Sequence, residues 1–170
     1  MNPYKEYKVY GSKLPSTQAP SPQIYVMQVF AKNEVAARST FFHVLKKQHK
    51  IKSTSGCILK IVPVVEQISH VRPYGIRFTY RSKKNTHNMY KEFRGVSRVD
   101  VVNDMYNDMA GRHSVGRTAI DIVSVKELND DEIRRENVKI LGNTEIEFPV
   151  FKKCLARQEN FVEEGGKYFY

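Results

Sequence analysis

The side chains best suited to chemistry in this chain are cations grouped with histidine, amide and aromatic residues, in three short segments. KKQHKIKS brings Lys46, Lys47, His49, Lys50 and Lys52 together. RSKKNTHNMYKEFR, residues 81 to 94, sets Arg81, Lys83, Lys84, Lys91 and Arg94 among His87, Asn88, Tyr90 and Phe93. GRHSVGR holds Arg112, His113 and Arg117. Basic side chains at this density can hold a phosphodiester backbone, while amide and aromatic groups read or stack on unpaired bases. Two of the segments close helical stretches, where a cation also complements the helix dipole. That cause accounts for one or two basic residues per helix end, not for five in seven positions. Phe93 is expected to face the core instead.

Catalytic and metal chemistry find little support. His43, His49, His70, His87 and His113 show no HExxH or other metal spacing. GRHSVGRT lacks the GKS/T ending of a phosphate loop and follows a helix instead of opening one. Asp100, Asp104 and Asp108 recur at i, i+4 and i+8, which reads as a solvated helix face. Cys57 and Cys154 are too few and too far apart for a disulfide framework or a zinc site. The expectation is a non-enzyme with no cofactor, no metal and no small-molecule substrate.

The charge balance points the same way as the three segments. The 170 residues carry 28 Lys plus Arg against 18 Asp plus Glu, a net +10, which implies a polyanionic partner. Residues 35–98 hold 14 bases and 2 acids, whereas residues 99–147 hold 6 bases and 11 acids. Such polarisation suits one RNA-facing region beside one that faces solvent or protein. No apolar run approaches the roughly 18 residues that span a bilayer, and MNPYKEYKVYG does not read as a secretory signal. A soluble intracellular protein that avoids membranes is expected.

Elements must then position these segments. Lys5 to Tyr10 alternates and predicts a short strand, followed by a proline-rich loop over 11–23. IYVMQVF, residues 24–30, predicts a buried strand. Asn33 suits an N-cap for a helix to about Lys47, with Ala37, Phe41 and Val44 on its apolar face. Gly56 ends the basic loop before a strand from Cys57. In the second half, YGIRFTYR alternates with Ile76, Phe78 and Tyr80 on one face, and a turn SKKNTHN leads to a strand MYKEFR. Ser97 and Asp100 form a capping-box-like start to a helix through Val102, Met105, Tyr106 and Met109, with Gly111 as its stop. TAIDIVSV, residues 118–125, predicts the closing strand. Beyond Asn129 lie a short acidic helix (NDDEIRREN) and an extended EIEFPV segment.

The halves overlay. Subtracting 65 places Val102, Tyr106 and Met109 on Ala37, Phe41 and Val44. Subtracting 61 places Ile122, Val125 and Glu127 on Ile61, Val64 and Glu66, which implies a longer loop after the first helix. The expected fold is therefore α+β: a tandem duplication of a β-β-α-β unit, over 1–70 and 71–128, with an extended C-terminal arm over 129–170.

Five stretches carry a resemblance to a known family. They are YKVYGSKLP at Tyr7 to Pro15, PSPQIYVMQVFAKN at Pro20 to Asn33, the Ser53 to Gly56 turn, THNMYKEFR at Thr86 to Arg94 and DMAGRH at Asp108 to His113. In order and spacing, from about residue 4 to Pro149, the chain resembles the eukaryotic large-subunit ribosomal proteins called L-eighteen-a or L-twenty, relatives of archaeal LX. The resemblance implies two LX-like units, contact with large-subunit ribosomal RNA and neighbouring ribosomal proteins, and a structural role in translation on cytoplasmic ribosomes. It also implies a nuclear assembly stage, and it marks Thr86, His87, Asn88, Tyr90, Arg112 and His113 as RNA or assembly contacts. A transient ribosome-assembly factor is the alternative. The tail departs from the family's basic, proline-containing end, with Glu159, Glu163, Glu164, Gly165 and Gly166 in its place. A protein neighbour suits that arm as well as RNA does.

Overall fold

The computed structural model describes residues 4–17, 19–67 and 70–143. Met1–Leu128 forms one compact unit and Asn129–Tyr170 a second. In the first, strands β1 (Lys5–Lys13) and β2 (Ile24–Ala31) precede helix α1 (Glu34–His49) and strand β3 (Gly56–Val64). The same order follows in β4 (Arg72–Arg81), β5 (Thr86–Gly95), α2 (Arg98–His113) and β6 (Ile120–Glu127). The strands make two antiparallel sheets of the same topology, β2-β1-β3 and β5-β4-β6, with the first strand of each set in the middle.

Both helices are 16 residues long and begin and end alike. Asn33 Oδ1 accepts from Ala36 N–H at 2.8 Å, and Ser97 Oγ accepts from Asp100 N–H at 3.2 Å, each satisfying an orphan donor of the first turn. The Ser97 hydroxyl also donates to Asp100 Oδ2 at 2.7 Å, and Glu66 Oε2 accepts from Arg98 N–H at 2.7 Å. At the far ends Lys50 (φ 57°) and Ser114 (φ 53°) are left-handed, and Ile51 and Val115 N–H bond back to Leu45 and Met109 carbonyls. Gly111 therefore does not stop α2. Two more residues continue the helix, because the buried Val115 behind Ser114 fixes where the chain must reverse.

These caps correct the overlay. Asn33 and Ser97, Lys50 and Ser114, and Leu45 and Met109 are all 64 apart, one fewer than the expected helix offset. The buried face of α1 is accordingly Ala37, Phe41, Phe42 and Leu45, while Val44 is only half-buried. In α2 it is Val101, Val102, Met105 and Met109, with Tyr106 half-buried. The third strands keep the same offset. Ile61 pairs with Val9 and Val125 with Ile76, so the offset of 61 and the longer loop after the first helix are both wrong. The central strands differ by 67, and the extra length of the first unit lies instead in its first hairpin, between β1 and β2. Each central strand meets its third strand across a β-bulge, at Tyr10/Gly11 and at Arg77/Phe78, leaving Leu59 and Val123 as the extra, exposed residues.

Two buried clusters result. One joins Val9, Val29, Ala37, Phe41 and Leu45; the other joins Tyr74, Ile76, Phe78, Val101, Met105 and Met109. Gly11 lets Phe41 lie against β1, since a Cβ there would fall 2.5 Å from the ring. Phe30, on β2, belongs to the second cluster, so the first half contributes a side chain to the core of the second. Arg98 adds a polar joint, 3.5 Å from Glu6 Oε1 and 2.9 Å from Glu66 Oε1. Glu6 is 2% exposed, and burial raises its pKa above the ordinary 4.5, against the lowering effects of Gln28 and Arg98.

In the second compact unit, the expected acidic helix is broken. Asp130–Glu132 forms a 3-10 turn with Asn129 and Glu132 bonded reciprocally, and helix α3 spans Glu136–Ile140. The EIEFPV segment and the arm beyond it lie outside the described residues.

Candidate RNA-binding surface

The β4–β5 hairpin is longer than expected, and Thr86, His87 and Asn88 belong to a strand, not to a turn. The turn is only Ser82 to Asn85, closed by Ser82 N–H donating to Asn85 carbonyl at 2.8 Å. The cause is side-chain chemistry at Ser82: its hydroxyl accepts from Asn85 N–H at 3.1 Å and shares a 3.0 Å hydrogen bond with His87 Nε2. Lys83 and Lys84 stand at the tip, both exposed.

Pairing of Tyr80 with His87 stacks their rings, 5.0 Å between centroids and 26° between planes. His113, the last residue of α2, brings its ring within 5.8 Å of Tyr80. Two segments far apart in sequence thus meet at one corner, with two exposed imidazoles against a half-buried tyrosine.

Strand alternation divides the remaining candidates. Arg81, Thr86, Asn88, Tyr90 and Arg94 fall on the sheet face away from α2, whereas His87 shares the α2 side with Met89 and Phe93. Phe93 packs on the core as expected. Tyr90 is half-buried, its hydroxyl lying where a Cβ on Gly75 would meet it at 2.7 Å. Arg94 is also half-buried, and its Nη1 has no hydrogen-bond partner among the described residues.

Several expected phosphate ligands are engaged within the protein. Lys47 Nζ lies 2.5 Å from Asp121 Oδ2. Arg117 Nη2 donates to the Phe30 carbonyl at 3.0 Å, and its guanidinium sits 4.4 Å from the Tyr4 ring and 5.7 Å from that of Tyr106. Lys91 pairs with Asp108, which also accepts from Arg112 Nε at 2.6 Å. Burial would raise the Asp108 pKa, but these two cations hold it below its ordinary 3.8. Asp104, on the same face, is raised by burial and by Asp100. The acidic stripe is therefore partly an ion-pairing face. Arg112 remains 77% exposed and can still reach a ligand. Lys46, Lys50, Lys52, Arg81, Lys83 and Lys84 are exposed and form no ion pair with a described carboxylate.

A cleft of about 160 Å³ joins two of the segments. His43 and Lys47 of α1 line it with Thr79, Arg81 and Thr86 of the hairpin and with Thr118 and Asp121 at the start of β6. A wider groove of about 490 Å³ follows α1 along Arg38, Phe42, His43, Lys46 and Lys52. His43, Thr118 and Asp121 were not among the candidates read from the sequence. The spacing of His43 four residues before Lys47 was the available signal, since it places both on one helix face. Among the described residues, no three His, Cys, Asp or Glu side chains are grouped to hold a metal ion, and no helix is long and apolar enough to cross a membrane.

The chain is 36% identical over 172 residues to the large ribosomal subunit protein eL20 of Candida albicans, covering 100% of both. It is 41% identical over 152 residues to eL20A of Schizosaccharomyces pombe, covering 86% of this chain and 84% of that one. To eL20 of Spodoptera frugiperda it is 36% identical over 150 residues, covering 88% and 85%. Residues 4–126 match the family model described as ribosomal proteins 50S-L18Ae/60S-L20. With that match spanning both three-stranded sheets, the chain belongs to the L18Ae/L20 family of eukaryotic large-subunit ribosomal proteins.

Proposed function

We propose that this protein is a structural, non-catalytic constituent of the large ribosomal subunit that grips ribosomal RNA through the β4–β5 hairpin tip and the C-terminal ends of α1 and α2. The observation that carries this reading is the Tyr80–His87–His113 corner, which joins the hairpin bearing exposed Lys83 and Lys84 at its tip to the end of α2 bearing exposed Arg112. Flat rings offer a platform to unpaired bases, and the surrounding cations hold the backbone that presents them. Lys46, Lys50 and Lys52 extend the positive surface along α1. Thr86 and Asn88 supply neutral contacts on the other face of the hairpin. Tyr90 and Arg94 act mainly by packing, and Arg117 and Lys91 by holding the fold. The matching topologies and the offset of 64 shared by the helices and the third strands support an origin by duplication of a unit over 1–70 and 71–128, with 129–170 an added arm against a neighbouring ribosomal protein. The protein works in the cytoplasm after assembly in the nucleus.

Sucrose-gradient sedimentation of the tagged protein tests the residence. A resident follows mature large subunits and translating ribosomes. A protein confined to precursor particles would be an assembly factor instead.

A further inference from the structure

Charge alone does not explain the 160 Å³ cleft between α1 and the second sheet. A site for phosphate has cations and no carboxylate, yet here Asp121 lies in the wall, with His43 3.7 Å from Oδ1 and Lys47 2.5 Å from Oδ2. Thr79, Thr86 and Thr118 add hydroxyl groups, and Arg81 adds a second strong cation. Lys47, Arg81, Thr86 and Thr118 are exposed, and Asp121 is 27% exposed at its side chain, so the wall is open to a ligand.

From this juxtaposition we propose that the cleft takes a single unpaired guanine base of an RNA strand. Guanine alone among the four bases has two adjacent donors on its pairing edge, N1–H and the N2 amino group, and a carboxylate accepts both side by side. Its O6 and N7 acceptors suit the Lys47 ammonium or the Arg81 guanidinium. Adenine and cytosine offer one donor group each, and uracil's single donor lies between two carbonyls that Asp121 repels. The Thr79, Thr86 and Thr118 hydroxyls can bond the remaining edge or the ribose. A cleft of about 160 Å³ has room for a single base. Lys47 then serves twice: it neutralises Asp121 in the empty protein and meets the base when one enters.

The proposal rests on the RNA-binding reading, and the test separates the two. The full-length protein is titrated into fluorescent single-stranded oligoadenylate eight-mers carrying one central guanine, inosine or adenine, and binding is followed by anisotropy. The guanine oligomer should bind at least about tenfold tighter than the adenine one, the worth of a good bidentate contact. Inosine, which lacks the N2 amino group, should lose most of that gain. Asp121→Asn should remove the preference for guanine, bringing the guanine and adenine oligomers to within about twofold of each other on that variant. Because the inosine comparison uses the unaltered protein, it stands even if the variant fails to fold. Equal affinity for the three oligomers overturns the guanine site and leaves RNA binding intact. No binding to any oligomer, or to a large-subunit RNA fragment, overturns both.

Discussion

The Arg117 guanidinium donates to the carbonyl of Phe30, 87 positions earlier, and in doing so ties the loop after α2 to the edge strand of the first sheet. The same group covers the Tyr4 ring. A cation placed by sequence among phosphate ligands is thus a brace between the two halves.

Arg117→Ala should accordingly cost about 1 to 3 kcal/mol of stability, from removal of the charge-assisted hydrogen bond and the ring contact together. Urea unfolding followed by circular dichroism measures it. The salt dependence of RNA binding should be unchanged. A stable variant with a flatter slope would return Arg117 to the RNA surface.

The register of α1 gives a second prediction. Phe41 is fully buried above Gly11 and Val44 only half so. Phe41→Ala should destabilise by about 3 to 5 kcal/mol, whereas Val44→Ala should cost less than about 1.5 kcal/mol. Equal losses would contradict the 64-residue alignment of the two helices.

Asp108 provides a pH dependence whose sign is fixed by its partners. Its folded pKa lies below 3.8, so the charged form is favoured by folding. That stability is present above pH 3.8 and is lost as pH falls through the folded value. Asp108→Asn should therefore be less stable than the parent at pH 7, with the deficit shrinking below about pH 3.8. Thermal melts at both pH values would show a pH-independent deficit if Lys91 and Arg112 contributed nothing.

Glu6 runs the opposite way. Its folded pKa lies above 4.5, so the native state binds the extra proton and stability falls as pH rises from 4.5 through the folded value. Glu6→Gln keeps the side-chain shape and removes that loss. The variant should gain on the parent as pH rises above about 4.5 in chemical denaturation. A constant difference across this range would mean that Arg98 and Gln28 fully offset the burial.

RNA binding by the exposed lysines should obey counterion release. Lys46, Lys50 and Lys52 changed together to Gln should lower the log–log salt slope by roughly 0.7 to 0.9 for each phosphate no longer neutralised. His87→Ala should weaken binding to a large-subunit RNA fragment with no change in slope, because a neutral stacking interaction releases no ions. A native-like circular dichroism spectrum confirms that each protein is folded, and an unaltered slope in the triple variant would remove the α1 end from the interface.

Local chemistry was readable from the sequence wherever a residue acts on its own neighbours. Asn33 and Ser97 cap the helices that follow because a short polar side chain reaches an N–H three residues on. Ile76 and Phe78 face the core because strand side chains alternate, whatever the partner. The excess of cations over residues 35–98 needed only counting. Three things were decided by tertiary structure alone. The 64-residue register depends on left-handed closures at Lys50 and Ser114, which Ile51 and Val115 fix by burying themselves beneath the helix ends. The β-bulges at Leu59 and Val123 exist only in relation to a paired strand. Which cations remain available depends on carboxylates and carbonyls 17 to 87 positions away, for Lys91, Lys47 and Arg117 alike. A charge is a property of a residue, but its availability is a property of distance, and distances across a fold are set by packing.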